Sequence, residues 1–188
     1  MKYTTNDLII FALFASIVFA FEYTICPILA VVAGMPGSCG MVGVIFEAFF
    51  GVLAALITRK PFAFAITMLI TSFLFLPTPV LFGVPHIIGL LPLTLSALLA
   101  EPFIRKYTMK SSAIGGAVYM TATNFAVMAV LIFLGLPGAE TWTRLLPYWY
   151  IAVGAVLGMI LTGAGGAIAA VFVYNKIKNK TFIRRLQK

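Results

Sequence analysis

The sequence predicts an all-α integral membrane protein, six transmembrane helices packed as one bundle with both termini in the cytoplasm. Three observations carry that expectation: a strongly apolar composition, a succession of apolar runs divided by short breaks, and basic residues gathered at alternate breaks. Of 188 residues, 62% are hydrophobic and only 10% are charged, and the mean hydropathy is +1.10, far from the balance of a soluble domain. Crossing about 30 Å of hydrocarbon takes about 20 residues at about 1.5 Å each, so the chain has length for roughly six helices and little else. That excludes a separate catalytic or nucleotide-binding domain, and residues 1–188 read as a single transmembrane domain.

The spans are expected at 7–31, 42–58, 62–77, 84–101, 111–135 and 147–174. The first run, from Leu8, follows Lys2 and Asp7 and continues past Val31 without a small-residue cleavage site. It reads as a retained helix rather than a signal peptide. Thr5, Asn6 and Asp7 offer N-caps for helix 1, Pro61 suits the first turn of helix 3, and Ser111 or Ser112 can cap helix 5. The breaks at 34–40 and 76–79 are uncharged and rich in Gly and Pro. They are either tight turns at the surface or segments that dip back and line a cavity. After helix 6 the chain ends in a short basic tail, 175–188.

The basic residues set the orientation. Lys2, then Arg59 and Lys60, then Arg105, Lys106 and Lys110, then Lys176, Lys178, Lys180, Arg184, Arg185 and Lys188 fall on one side, and only Arg144 falls on the other. The positive-inside rule makes that side cytoplasmic, with the loops around 33–41, 77–83 and 136–146 facing outward. The net charge of +8 therefore reads as topology and contact with anionic lipid, not as a nucleic-acid footprint. Cys26 and Cys39 form no CxxC pair and make no metal or redox motif; whether they pair with each other stays open.

Ionisable groups inside an apolar span are unfavourable enough that they mark function by default. Glu22 lies 15 residues beyond Asp7, Glu47 lies 12 before Arg59, His86 lies 15 before Glu101, and Asn124 lies 14 beyond Lys110. At about 1.5 Å per residue all four sit roughly 18 to 23 Å from the cytoplasmic charge layer. Four helices thus bring two carboxyls, an imidazole and an amide to one level. Above them Trp142, Tyr148, Trp149 and Tyr150 form an aromatic cluster that either closes over a ligand or sits as an interfacial belt. The expected substrate contacts are Glu22, Glu47, His86, Asn124, Tyr148 and Trp149. Carboxyls with no basic residue at their depth suit a cationic or hydrogen-bond-donating ligand. The bland alternatives are carboxyls hydrated near the outer interface with Arg144 as counter-ion, and a structural histidine.

Ala12, Ser16 and Ala20 form a small-residue ridge on helix 1, from which Glu22 points about 120° away at about 100° per residue. Such a ridge lets another helix approach closely, within the bundle or from a partner. Gly154, Gly158, Thr162 and Gly166 form a second row on helix 6, expected to pack within the chain.

The stretch from Ile10 to Ala20, the turn at Ala33 to Met35 and the stretch from Ala54 to Pro61 resemble the substrate-binding S component of energy-coupling factor (ECF) vitamin transporters, closest to the YkoE type associated with hydroxymethylpyrimidine and thiamine precursors. Beyond helix 3 the resemblance is one of architecture. It implies capture of a vitamin-like small molecule from outside, and as partners a transmembrane coupling protein and two ATPase subunits, with Ala12, Ser16 and Ala20 as docking face. Where that family's pocket carries acidic or amide side chains on helices 2 and 3, this chain has Met41 or Val42 and Met68; its carboxyls are elsewhere, and that departure leaves the substrate open. Independently, no GxxxxGK[ST] phosphate loop occurs, so ATP use falls to another subunit. No cofactor, metal, nucleic acid or catalytic residue is expected. Three other readings compete. One is a haem or metal carrier using His86, Met41, Met68 or Cys39. Another is an intramembrane enzyme built on Gly37, Ser38, Cys39, Gly40 and His86. The last is an accessory subunit whose Glu22 and Glu47 pair with a partner's basic residues.

Overall fold

The computed structural model describes residues 3–33, 38–77, 87–135, 143, 147–181 and 183, leaving out the side chains of 26, 27, 29–33, 38–42, 44, 87, 88, 149 and 151. The described residues form six helices: α1 (Thr5–Ala33), α2 (Ser38–Thr58), α3 (Ala63–Phe75), α4 (Ile87–Ile104), α5 (Met109–Phe133) and α6 (Trp149–Ile177). Each expected span has its helix, with ends displaced by a few residues. α1, α5 and α6 each hold a stretch long and apolar enough to cross a membrane, whereas α2, α3 and α4 contribute shorter apolar stretches, 45–58, 63–75 and 89–104. At 13 residues α3 is the shortest, and at about 1.5 Å per residue it reaches only about 20 Å.

The helices close into a ring in the order α1, α2, α6, α5, α4, α3, with α3 returning to α1. α2 also touches α3 and α5, and so takes the central place. In a lipid solvent such contacts rest on van der Waals packing of small residues more than on expulsion of water. Gly116 on α5 and Gly163 on α6 show this most clearly, because a Cβ on either would collide with the other's carbonyl oxygen. A Cβ at Gly166 would lie 2.6 Å from the Ile45 carbonyl oxygen of α2. Gly154 and Gly158, by contrast, face open space, so only part of the α6 row packs within the chain. The reason is geometric: a row at spacing four turns about 120° round a helix over 12 residues, from the outer face to the inner one. Several hydroxyls within the helices are satisfied locally: Thr58, Thr67, Thr71, Ser72 and Thr162 each donate to the carbonyl four residues earlier.

The helix caps differ from the sequence expectation. Helix α1 is capped by Thr4, whose hydroxyl accepts from the Asp7 N–H at 3.2 Å while the Asp7 carboxylate accepts from the Thr4 N–H at 2.8 Å. Asp7 is thus the return arm of a capping box, and neither Thr5 nor Asn6 is the cap. Helix α5 is capped by Thr108, which accepts from the Ser111 N–H, so Ser111 and Ser112 already lie inside the helix. Pro61 stands in the turn before α3 rather than in its first turn, and Phe62 at the cap position is left-handed (φ 58°) with no side-chain cap. The cap comes instead from α4: the buried Glu101 carboxylate accepts from the Ala65 N–H at 3.2 Å. A negative group at the positive end of a helix dipole is well placed.

The start of α1, the α2–α3 and α4–α5 turns and the end of α6 meet at one end of the bundle, where all the described Lys and Arg residues lie. Lys60 sits 3.7 Å from the Asp7 carboxylate and Tyr3 donates to the Pro61 carbonyl at 2.7 Å. Arg59 donates to the Tyr174 hydroxyl at 3.4 Å and lies 5.7 Å from the centre of the Tyr107 ring. Burial pushes the Tyr107 phenol above its ordinary value, and the charge of Glu101 acts the same way, so at neutral pH Arg59 covers an uncharged ring. Beyond α6, Ile183 of the basic tail is buried against the core.

Candidate functional site

Aromatic side chains fix how α1 and α2 meet. Phe21 stacks on Phe46 with ring centres 4.6 Å apart, and Phe14 lies 5.7 Å from Phe50. This antiparallel register sets Glu22 against the next turn of α2. Gly43 makes room for it, since a Cβ there would stand 3.1 Å from the Glu22 carboxyl carbon. Glu22 and Glu47 come within hydrogen-bonding reach of each other. Glu47 is 3% exposed and Glu22 is half-buried, so the two expected carboxyls do converge, from α1 and α2.

The remaining partners come from α5 and α3. Tyr119, wholly buried, donates its hydroxyl to Glu47 Oε2 at 2.7 Å and lies 3.3 Å from the Met68 sulfur. Phe64 meets the Tyr119 ring edge-on at 4.9 Å, which holds the phenol toward Glu47. Thr123, one turn on and buried, keeps its hydroxyl beside that of Tyr119 but completes no well-formed hydrogen bond. Carboxylates carry only acceptors, so two that face each other need a shared proton, a cation or a hydrogen-bond donor between them. Chemically, the cluster can hold a positive charge or a hydrogen-bond donor.

The other expected contacts stand differently. Asn124 is half-buried, and its amide donates to the Met120 carbonyl of its own helix at 2.9 Å. It lies five residues beyond Tyr119, which turns it about 140° from the phenol. Tyr148 precedes α6 and is exposed, its ring edge-on to that of Tyr150 at 6.1 Å. Trp149 opens α6, but its side chain lies outside the described residues, as do His86, Trp142 and Arg144 and the side chains of Met41, Val42, Cys26 and Cys39. Ala12, Ser16 and Ala20 are all exposed on the outer face of α1, away from Glu22. Among the described residues no group of three or more His, Cys, Asp or Glu gathers at metal-binding distance.

Tyr119 and Thr123 are the site residues that sequence reasoning passes over. The signal was distance along the helix: Tyr119 lies nine residues beyond Lys110, about 14 Å from the basic end of α5, farther than an interfacial ring would stand. Compared with protein-family models, curated proteins and solved structures, the chain matches none, so the functional reading stands on this geometry and on the residues themselves.

Proposed function

We propose that the chain is the membrane-embedded substrate-binding subunit of an ATP-driven importer of the ECF type. It captures a small vitamin or vitamin precursor, of the thiamine or pyrimidine kind, from outside. In this reading all six helices cross the bilayer, the flanking turns complete the short α3 crossing, and the basic end faces the cytoplasm. The observation that carries the proposal is the meeting of Glu22 and Glu47 beneath the Tyr119 hydroxyl, a polar cluster at membrane depth from three helices. Buried carboxyls of this kind are unfavourable unless something uses them. Exposure of Ala12, Ser16 and Ala20 supports the docking role, because a small-residue ridge that no described residue covers can receive a partner's helix.

Mass spectrometry of the small molecules that co-purify with the detergent-solubilised protein, with an absorption spectrum, tests the reading first. A pyrimidine or thiamine-like compound is the expected result. A porphyrin with a Soret band sinks the vitamin assignment in favour of a haem carrier, and no ligand from several growth media favours an accessory subunit. Two variants divide the roles. Glu47→Gln is expected to weaken thiamine binding at least tenfold in a folded protein, whereas Ser16→Leu leaves binding intact and abolishes uptake in cells. Undiminished affinity in Glu47→Gln removes the cluster from the binding site.

A further inference from the structure

We propose that the Thr123 hydroxyl is the specificity-determining group of the ligand site: it accepts a hydrogen bond from an N–H or O–H donor of the bound solute, and so selects a donor-bearing solute over a cation that carries charge alone. The proposal rests on the reading of the Glu47–Tyr119 cluster as the ligand site and adds which group the solute must present, and to which atom.

Thr123 departs from the local rule that other hydroxyls follow. Thr58, Thr67, Thr71, Ser72 and Thr162 each donate to the carbonyl four residues earlier, which satisfies a hydroxyl in an apolar helix. Thr123 is only 5% exposed, yet its Oγ1 makes no such bond. It stands instead beside the Tyr119 phenol, without completing a bond there. The phenol has one proton, which goes to Glu47 Oε2 at 2.7 Å, so toward Thr123 it offers only a lone pair. The Thr123 proton therefore has an acceptor at hand, whereas the lone pairs of Oγ1 have no donor. A buried acceptor of this kind destabilises an empty site and rewards a solute that brings the donor. It also rejects a solute that leaves it unpaired.

The position of Thr123 agrees with this role. It lies 13 residues beyond Lys110, about 20 Å from the basic end of α5 and so at the level expected for Glu22. Tyr119 and Thr123 are four residues apart and share one buried face of α5. Thr123 stands farther from the basic end, so in the proposed orientation a solute from outside meets it before Glu47. Ser112 and Thr121 on the same helix also have hydroxyls without partners. Ser112, however, lies 11 residues or about 16 Å nearer the basic end, and Thr121 is turned about 160° from Thr123.

The test compares wild type, Thr123→Val and Thr123→Ser as full-length protein in detergent, by the thermal midpoint of the ligand-free protein and by calorimetric titration with thiamine. Valine keeps the shape and deletes the hydroxyl; serine keeps the hydroxyl. Thr123→Val is expected to raise the ligand-free midpoint by about 2–4 °C and to weaken thiamine binding about tenfold, while Thr123→Ser keeps most of the affinity. The opposed signs are the signature, because a hydroxyl that merely ties α5 together would lower the midpoint when removed. Tetramethylammonium, a cation without a donor, should not displace thiamine from the wild type. A lowered midpoint in Thr123→Val overturns the proposal, and so does displacement of thiamine by tetramethylammonium. Undiminished thiamine affinity in Thr123→Val overturns it too, although the substrate-binding reading survives if Glu47→Gln still weakens binding. Failure of the wild type to bind thiamine removes the vitamin reading and the proposal with it.

Discussion

Tyr119 ties three helices together in the interior, because its hydroxyl joins α5 to Glu47 of α2 and to Met68 of α3 at once. Replacing it with phenylalanine keeps the edge-on packing against Phe64 and removes only the oxygen. Leaving a buried carboxyl short of a donor costs about 1–3 kcal/mol, so Tyr119→Phe should lower the thermal midpoint in detergent and weaken ligand binding together. An unchanged midpoint would mean that water or lipid replaces the phenol. Glu22 and Glu47 were legible in the sequence because carboxyls in apolar runs are rare and their depths agree. Tyr119 and Thr123 were not, because hydroxyls are common in apolar helices and usually bond to their own backbone, as Thr67 and Thr71 do here. Asn124 was placed by depth, and depth alone does not give rotation about a helix axis, which turns it about 140° from Tyr119.

Among the elements, α5 and α6 depend on the closest approach. Gly163→Val places a branched side chain against the Gly116 carbonyl and must force the helices apart. Overpacking of this kind costs about 1–3 kcal/mol where neighbours can shift, and backbone shifts less readily than side chains. Gly163→Val should therefore reduce the yield of monodisperse protein, whereas Gly154→Val, on the open part of the same helix, should be tolerated. Equal effects of the two would show that the seam does not hold the bundle. Helix positions were legible because polar and basic breaks interrupt the apolar runs. The caps were harder, since Thr4, Thr5, Asn6 and Asp7 are all competent and only three-dimensional closure of the Thr4–Asp7 box chooses among them. The cap on α3 was beyond local reading, because its donor of charge, Glu101, lies 36 residues away.

For the whole molecule, the gathering of Arg59, Lys60, Tyr107, Asp7 and Tyr174 at one end makes the topology a single measurable property. In a background with Cys26 and Cys39 replaced by serine, a membrane-impermeant maleimide applied to intact cells should label Tyr148→Cys and spare Lys106→Cys until the cells are opened. The reverse pattern would put the carboxyl pair nearer the cytoplasm and undo capture from outside. The apolar character was legible from composition, and the one-sided charge from where the basic residues fall along the chain. The ring order and the central place of α2 were not, because apolar faces in lipid carry little pairing information and the contacts are decided by where glycine permits approach.

The carboxylate that Glu101 lends to α3 also bears on how such a bundle can move. To part α3 from α4, the chain would have to leave a buried carboxyl and the positive end of a helix each without its counterpart. These two helices should therefore travel as one rigid plate. Any opening that lets a solute in or out falls to the other seams of the ring, the one between α1 and α2 above all, since it is there that Glu22 and Glu47 face each other.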